Sequence, residues 1–274
     1  MHRSVGVMAG AAVVGLIALG ACTEITPPPL HDFGFITAKV VRQNDGSRAV
    51  NVVGQFFQAR GGSLPDSRVP LDVCNVIRGE APGGSITSPL PAGDSVLLNI
   101  VDGGSVTTTA VLKPNIQQGN AYTTVDGNPV PLNAGSSSLA FTIPGDEAGF
   151  PEASITALSV PALASISPIP SDPGFGDNLL VTWSPAGDDS THIDLELTFD
   201  LELGGQTTHE GVSCSWIDDG QAEIPVGSLI DFRQGVNQTA VMTRFRTHTE
   251  TLGTSFLTVL ARHDTTLTVQ PTAP

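Results

Sequence analysis

The clearest alternation of apolar and polar residues lies in the second half of the chain. Between His192 and Leu203 every second residue is apolar, and the positions between them are Asp, Glu or Thr. Successive side chains of a strand point to opposite faces of a sheet, so this pattern predicts a strand with one buried and one acidic face. The run from Val241 to Thr249 also alternates, which predicts another strand.

Short β-favouring runs separated by turn signals fill most of the remaining chain, and one of them is Val69–Ile77. Asp-Gly pairs occur at Asp45-Gly46, Asp102-Gly103, Asp126-Gly127 and Asp219-Gly220. Glycine adopts the positive φ of a tight turn without steric cost, so these pairs indicate hairpins. The segment from Pro225 to Phe232 is the one place where the sequence suggests a helical turn.

This pattern predicts an all-β fold with two β-sandwich domains of the immunoglobulin or fibronectin kind, since short strands with regular turns are typical of sandwiches. The first domain is expected to span residues 33–160 and the second residues 161–274. The segment 161–176 carries four prolines, which suits a boundary leading into an edge strand.

The N-terminus contains an apolar, Gly- and Ala-rich stretch, Val5–Leu19, that has the length of a signal peptide rather than of a membrane span. It ends in Leu19-Gly20-Ala21-Cys22, which resembles the bacterial lipobox. The resemblance implies a signal peptide of residues 1–21 cleaved after Ala21, and a lipid on Cys22. The alternatives are an ordinary cleavable signal with an incidental cysteine, or a single-span anchor.

The residues after the cysteine extend this expectation. In such lipoproteins an aspartate after the cysteine favours the inner membrane; Thr23 stands there in this chain, so the resemblance implies the outer membrane. Residues 22–32, with Pro27-Pro28-Pro29, are expected to form a lipidated tether and a stiff spacer. The formal net charge of −15 argues against nucleic acid and anionic membrane surfaces as charge-driven partners.

Two further cysteines, Cys74 and Cys214, lie in different predicted domains. A disulfide between them requires close docking of the domains, because bridged Cα atoms lie within about 7 Å. Two buried, unpaired thiols are therefore the preferred interpretation, with a disulfide as the alternative. Trp183 and Trp216 lie in strand-like segments and are expected in a core rather than on a ligand-binding platform.

The charged residues of the two alternating strands suggest cross-strand pairs. If the strands are neighbours in an immunoglobulin-like sheet, one solvated face brings together Asp194, Glu196 and Asp200 with Arg244, Arg246 and His248. Such pairs contribute about 0.2–1 kcal/mol each.

Sequence motifs of catalysis are lacking. There is no nucleophile elbow, zinc-protease motif, phosphate loop or dinucleotide fingerprint, and the histidines do not have metal-ligand spacing. Gly93-Asp94-Ser95 and the segment 189–192 superficially resemble GDS-type hydrolase blocks, but they abut hairpin patterns. The chain is therefore predicted to be neither an enzyme nor a cofactor protein. Asp188 and Asp189 are the candidate calcium ligands, since Ca²⁺ prefers carboxylate and carbonyl oxygens.

The second half resembles a module of extracytoplasmic lipoproteins of environmental bacteria. The resemblance lies in Leu180-Val181-Thr182-Trp183-Ser184-Pro185, Val212-Ser213-Cys214, Asp218-Asp219-Gly220 and Ile224-Pro225. Phe141-Thr142-Ile143-Pro144-Gly145 and Leu90-Pro91-Ala92-Gly93-Asp94 resemble a companion first module. The resemblance implies the sandwich fold and the cell envelope, and it carries no known activity.

The sequence thus predicts a non-catalytic envelope or cell-surface lipoprotein that binds another envelope protein or has a structural role. Edges of β-sandwiches can pair with extended partners, which favours the binding role. The alternatives are a lipoprotein that binds a ligand or cation in the interdomain region and, as a further class, an enzyme with an unrecognised site.

Overall fold

The protein has an all-β structure. The computed structural model describes residues 30–60, 72–78, 88–133, 137–162, 165–172, 178–187 and 190–270, and almost all of its regular structure is strand. Among these residues, no helix has the length and apolar character needed to cross a membrane.

The strands fall into two series along the chain. The first series is β1 (Leu30–Arg42), β2 (Arg48–Arg60), β3 (Val73–Arg78), β4 (Ser88–Pro89), β5 (Val96–Asp102), β6 (Ser105–Asn115), β7 (Ala121–Thr124), β8 (Val130–Leu132), β9 (Ser138–Ile143) and β10 (Ala153–Ser159). The second series is β11 (Ile169–Pro170), β12 (Leu179–Thr182), β13 (Thr191–Leu203), β14 (Gln206–Ile217), β15 (Gln221–Ile224), β16 (Val236–Leu252), β17 (Ser255–Leu267) and β18 (Val269–Gln270).

Fourteen of these strands form one mixed sheet. Its order is β10-β9-β5-β6-β7-β2-β1-β17-β16-β13-β14-β3, and β4 and β8 also pair with β2. The neighbours β1 and β17 are parallel, with Ile36 opposite Val259, whereas the other pairs of this sheet are antiparallel. Two small sheets, β11-β18 and β12-β15, complete the described structure.

The turn predictions are confirmed in part. The Asp45-Gly46 turn joins β1 to β2, and the Asp102-Gly103 turn joins β5 to β6. The Asp126-Gly127 and Asp219-Gly220 turns lead instead to strands that pair elsewhere, since β8 pairs with β2 and β15 with β12. The predicted helical turn is present as a 3₁₀ turn, Val226–Leu229, followed by the helix α1 (Ile230–Gln234).

Most of the buried apolar side chains among the described residues belong to two hydrophobic clusters. The first is enclosed by β1, β2, the strands β5 to β10 and part of β17, and its members include Ile36, Leu98 and Phe141. The second is enclosed mainly by β12 to β16 and includes Leu197, Phe199 and Met242. The predicted inward face of β13 supplies the centre of this second cluster, which confirms the alternation in its sequence.

The hairpin formed by β16 and β17 contributes side chains to both clusters. Met242 of β16 lies in the second cluster, whereas Leu257 and Val259 of β17 lie in the first. The predicted boundary between residues 160 and 161 falls after β10 and stays a prediction, as does the immunoglobulin-like topology of each half.

The two tryptophans lie in the second cluster, as predicted. Trp183 and Trp216 are buried, and their rings stack with centroids 5.8 Å apart. The indole N–H of Trp183 donates to the carboxylate of Asp218 at 2.8 Å. Burial of the Trp183 ring with its polar N–H therefore depends on this carboxylate.

The prediction of unpaired thiols is wrong, because Cys74 and Cys214 form a disulfide. β3 belongs to the first series of strands, but it pairs with β14 at the end of the sheet that carries the second cluster. The antiparallel register places Cys74 directly opposite Cys214. No docking of separate sandwiches is needed, because the sheet itself brings the two residues together.

The predicted cross-strand ion pairs are also wrong, although β13 and β16 are neighbours as expected. Their register places Ile193, not Asp194, opposite Arg244, so the arginine lies on the side of the sheet that carries the apolar residues. The acidic side chains of β13 have other partners. Asp194 accepts a hydrogen bond from the hydroxyl of Ser215, and Oδ1 of Asp200 lies 2.9 Å from Nδ1 of His209.

Arg244 instead forms a buried ion pair with Asp218. Their side chains are only 2% and 0% exposed, and Nε of the arginine lies 2.8 Å from Oδ2 of the aspartate. The guanidinium also donates to Oδ1 of Asp218 and to the backbone carbonyl groups of Ala162 and Ser184. The pair thus joins β16 to the Asp218 turn and to two loop segments beside the second cluster.

The burial of Asp194, on the outer face of β13, can be tested through the pH dependence of stability. Burial is the main reason that the pKa of Asp194 is raised, and the Ser215 hydroxyl acts in the opposite direction. The folded state therefore keeps the Asp194 proton to a higher pH than the unfolded chain does. As a result, the free energy of unfolding falls as the pH rises through the pKa of Asp194 in the folded state. We expect Asp194→Asn to raise the Tm at about pH 7 and to leave it unchanged at about pH 3, where the native carboxyl is also neutral.

Asp200, on the same face of β13, is the matched control. The hydrogen bond from His209 is the largest cause that lowers the pKa of Asp200, so its ionised form is favoured by folding. Asp200→Asn should therefore lower the Tm at neutral pH. Scanning calorimetry across this pH range distinguishes the two variants. Equal Tm shifts of the same sign would contradict the opposite pKa changes assigned to Asp194 and Asp200.

Candidate functional site

The residues singled out from the sequence as a modification or metal site lie outside the described residues. This applies to the cleavage position Ala21, the lipidation position Cys22 and the calcium candidates Asp188 and Asp189. Within the described part of the chain, no group of three or more His, Cys, Asp or Glu side chains is arranged to hold a metal ion.

The most distinctive surface element is β3, the strand at one end of the large sheet. Among the described strands it pairs with β14 alone. Val76 and Ile77 are 40% and 37% exposed, and Asn75 is also exposed. Adjacent residues of a strand point to opposite faces, so apolar surface is offered on both sides of this edge.

The disulfide fixes β3 in place. Cys214 is fully buried in the second cluster, and Cys74 packs against the same cluster from the edge strand. The backbone N–H of Asp72 also donates to the carbonyl of Ser215 at 2.7 Å. A short edge strand is thereby held on the sheet by a covalent bond as well as by its backbone ladder.

Chemically, an ordered edge strand can accept another strand. Backbone N–H and C=O groups of an edge provide the hydrogen bonds, and exposed side chains on the two faces provide selectivity. The sequence indicated a strand over Val69–Ile77, which overlaps β3, but its place at the sheet edge depends on pairing with residues more than a hundred positions away.

A small cavity of about 340 Å³ lies around Tyr122, the only tyrosine in the chain. The Tyr122 hydroxyl donates to the carbonyl of Gly93 at 2.7 Å and accepts the backbone N–H of Ala92 at 2.9 Å. Burial raises the pKa of Tyr122, and the negative charges of Asp146 and Asp94 act in the same direction. The hydroxyl therefore stays protonated and serves to hold the loop before β5.

Comparison of the chain with protein-family models, with curated proteins and with solved structures finds no match.

Proposed function

We propose that this protein is a non-catalytic, lipid-anchored module of the cell envelope that binds another envelope protein along β3. The observation that supports this proposal is the edge strand itself, with its exposed Val76 and Ile77 and its disulfide to β14. A strand that is ordered before binding loses little conformational entropy when a partner strand is added.

The sequence before β1 supports the choice of partner. Seven residues, 23–29, separate the proposed lipid-bearing Cys22 from Leu30, the first residue of β1. A polyproline segment of seven residues spans about 22 Å, at about 3.1 Å per residue. A lipid on Cys22 thus keeps the sheet close to the membrane, where other envelope proteins are its neighbours.

The proposal is tested by photo-crosslinking in cells that produce the full-length chain. A photoreactive amino acid at Asn75 is expected to capture one envelope protein repeatedly, as identified by mass spectrometry. Val76→Asp is expected to reduce that product at least roughly tenfold, because a carboxylate at a strand edge disfavours pairing with another strand. The mass of the Cys22 peptide from the membrane fraction reveals the lipid in the same preparation.

The matched control is Val106→Asp, since Val106 is also an exposed valine on a strand of the same sheet but lies away from β3. Both variants should keep the wild-type Tm, because surface substitutions usually change stability by less than about 0.5 kcal/mol. Equal capture by the two variants, or capture of abundant neighbours alone, contradicts binding along β3. An unmodified Cys22 contradicts the lipid anchor.

A further inference from the structure

An open groove of about 640 Å³ lies on the sheet beside β6, β7 and β2. The strand registers place Val53, Thr123 and Lys113 side by side across these three strands, and they form the floor. The volume is within the range of about 300–1,000 Å³ that is usual for ligand sites.

Two apolar side chains stand at the walls of the groove. Ile116 begins the 3₁₀ turn Ile116–Gln118 and is 86% exposed, while Val125, in the turn after β7, is 64% exposed. Neither residue contributes to a hydrophobic cluster. The groove thus offers one exposed apolar side chain from each of two turns, beside the polar groups that line it.

Both walls are held in shape by local hydrogen bonds. The side chain of Asn115 accepts the N–H of Gln117 at 3.0 Å, and the N–H of Asn120 donates to the carbonyl of Asn115 at 3.0 Å. On the other side, the N–H of Gly127 donates to the carbonyl of Thr124 at 2.9 Å. The groove is therefore formed before any ligand arrives, which limits the entropy cost of binding.

The polar groups of the groove are available for a ligand. Among the described residues that line the groove, Lys113 alone is charged, and the amide side chains of Asn51, Gln117 and Gln118 line the groove with it. In the part of the chain that the structure describes, none of these four side chains has a hydrogen-bond or ion-pair partner. Carboxamides both donate and accept, as a peptide backbone does, and an ammonium group pairs with a carboxylate.

We propose that this groove binds a short, extended peptide segment that carries a carboxylate side chain between apolar residues. The amides bind its backbone, Ile116 and Val125 contact its apolar side chains, and Lys113 pairs with its carboxylate. None of the described residues that line the groove is aromatic, which disfavours sugars because they are usually bound by stacking on aromatic rings. This site lies apart from β3 and does not depend on the function proposed for that strand.

The probe is a displayed library of random dodecapeptides, panned against the purified full-length chain, with affinities of enriched peptides measured by fluorescence anisotropy. Enriched peptides are expected to share an acidic residue flanked by apolar residues. Lys113→Met and Ile116→Ser should each weaken their binding roughly tenfold, or by about 1.4 kcal/mol, because the first removes the partner of the carboxylate and the second removes an apolar contact. A charge exchange adds a stricter test: Lys113→Glu should bind the peptide in which lysine replaces the acidic residue.

Two variants serve as controls for the location of binding. Val106→Ser changes an exposed valine outside the groove, and Val76→Asp changes β3; both should bind the peptides as the wild type does. Peptides that lose affinity with Val76→Asp but not with Lys113→Met overturn the groove proposal and favour the β3 proposal. A library without enriched sequences, or equal affinity for Lys113→Met and wild type, also overturns it.

Discussion

Replacement of Arg244 by methionine is expected to lower the free energy of unfolding by about 3–5 kcal/mol. The substitution removes the ion pair but leaves the carboxylate of Asp218 buried, with the indole N–H of Trp183 as a remaining donor. A buried charge without its counter-charge costs far more than the 0.2–1 kcal/mol or so expected for a pair on a solvated face. The size of the loss thus distinguishes the observed pair from the cross-strand pairs predicted from the sequence.

Urea unfolding followed by tryptophan fluorescence is the appropriate measurement, because both tryptophans lie beside the pair. Lys39→Met is the matched control: Lys39 also pairs with an aspartate, Asp264, at 2.8 Å, but its side chain is about half exposed. That variant should lose less than about 1 kcal/mol. Adding Asp218→Asn to Arg244→Met should recover part of the loss, and an Arg244→Met loss no larger than that of Lys39→Met contradicts the buried-pair interpretation.

Reduction of the Cys74–Cys214 disulfide is expected to lower the free energy of unfolding by about 2–5 kcal/mol. The bond joins residues 140 positions apart, so in the oxidised protein it closes a long loop and restricts the unfolded chain. It also holds β3 on the edge of the sheet, and its removal should increase amide exchange in β3 more than in β5.

Chemical unfolding with and without reductant measures this loss. The double variant Cys74→Ala/Cys214→Ala should show the lower stability in both conditions and should not respond to reductant. In a Cys22→Ser background, denatured protein is expected to show no titratable thiol before reduction and two afterwards. Two titratable thiols before reduction would contradict the disulfide and support the prediction of unpaired cysteines.

The sequence predicts the local features of this fold well, because they depend on neighbouring residues. The alternation in β13 follows from burial of one face, and the Asp45-Gly46 and Asp102-Gly103 hairpins follow from the need for positive φ in tight turns. The short helical turn after Pro225 is also a local property. These elements required no knowledge of which strands pair.

The features that the sequence did not predict depend on pairing between distant strands. A shift of one residue in the register of β13 and β16 decides whether Arg244 lies beside Ile193 or Asp194, and both strands alternate well enough to permit either. The position of β3 beside β14 likewise depends on residues far apart in the chain, so the cysteines appeared to belong to separate units.

The candidate binding surfaces were only partly visible in the sequence. The segment that forms β3 could be predicted as a strand, but its exposure could not. The groove has no sequence motif: Lys113, Ile116 and Val125 are ordinary residues in a strand and two turns, and the sheet places them around one concavity. The exposure of Ile116 and Val125 distinguishes them from core residues, and it depends on the packing of the whole sheet.

The parallel pairing of β1 with β17 has a consequence for the order of folding. β1 and β17 are separated by more than 200 residues, so the ribosome releases β17 long after β1. Until residues 255–267 emerge, one side of β1 lacks its neighbour, and the first hydrophobic cluster lacks Leu257, Val259 and Ala261. Contacts of such long sequence separation slow folding. Completion of the sheet is therefore a late event in folding.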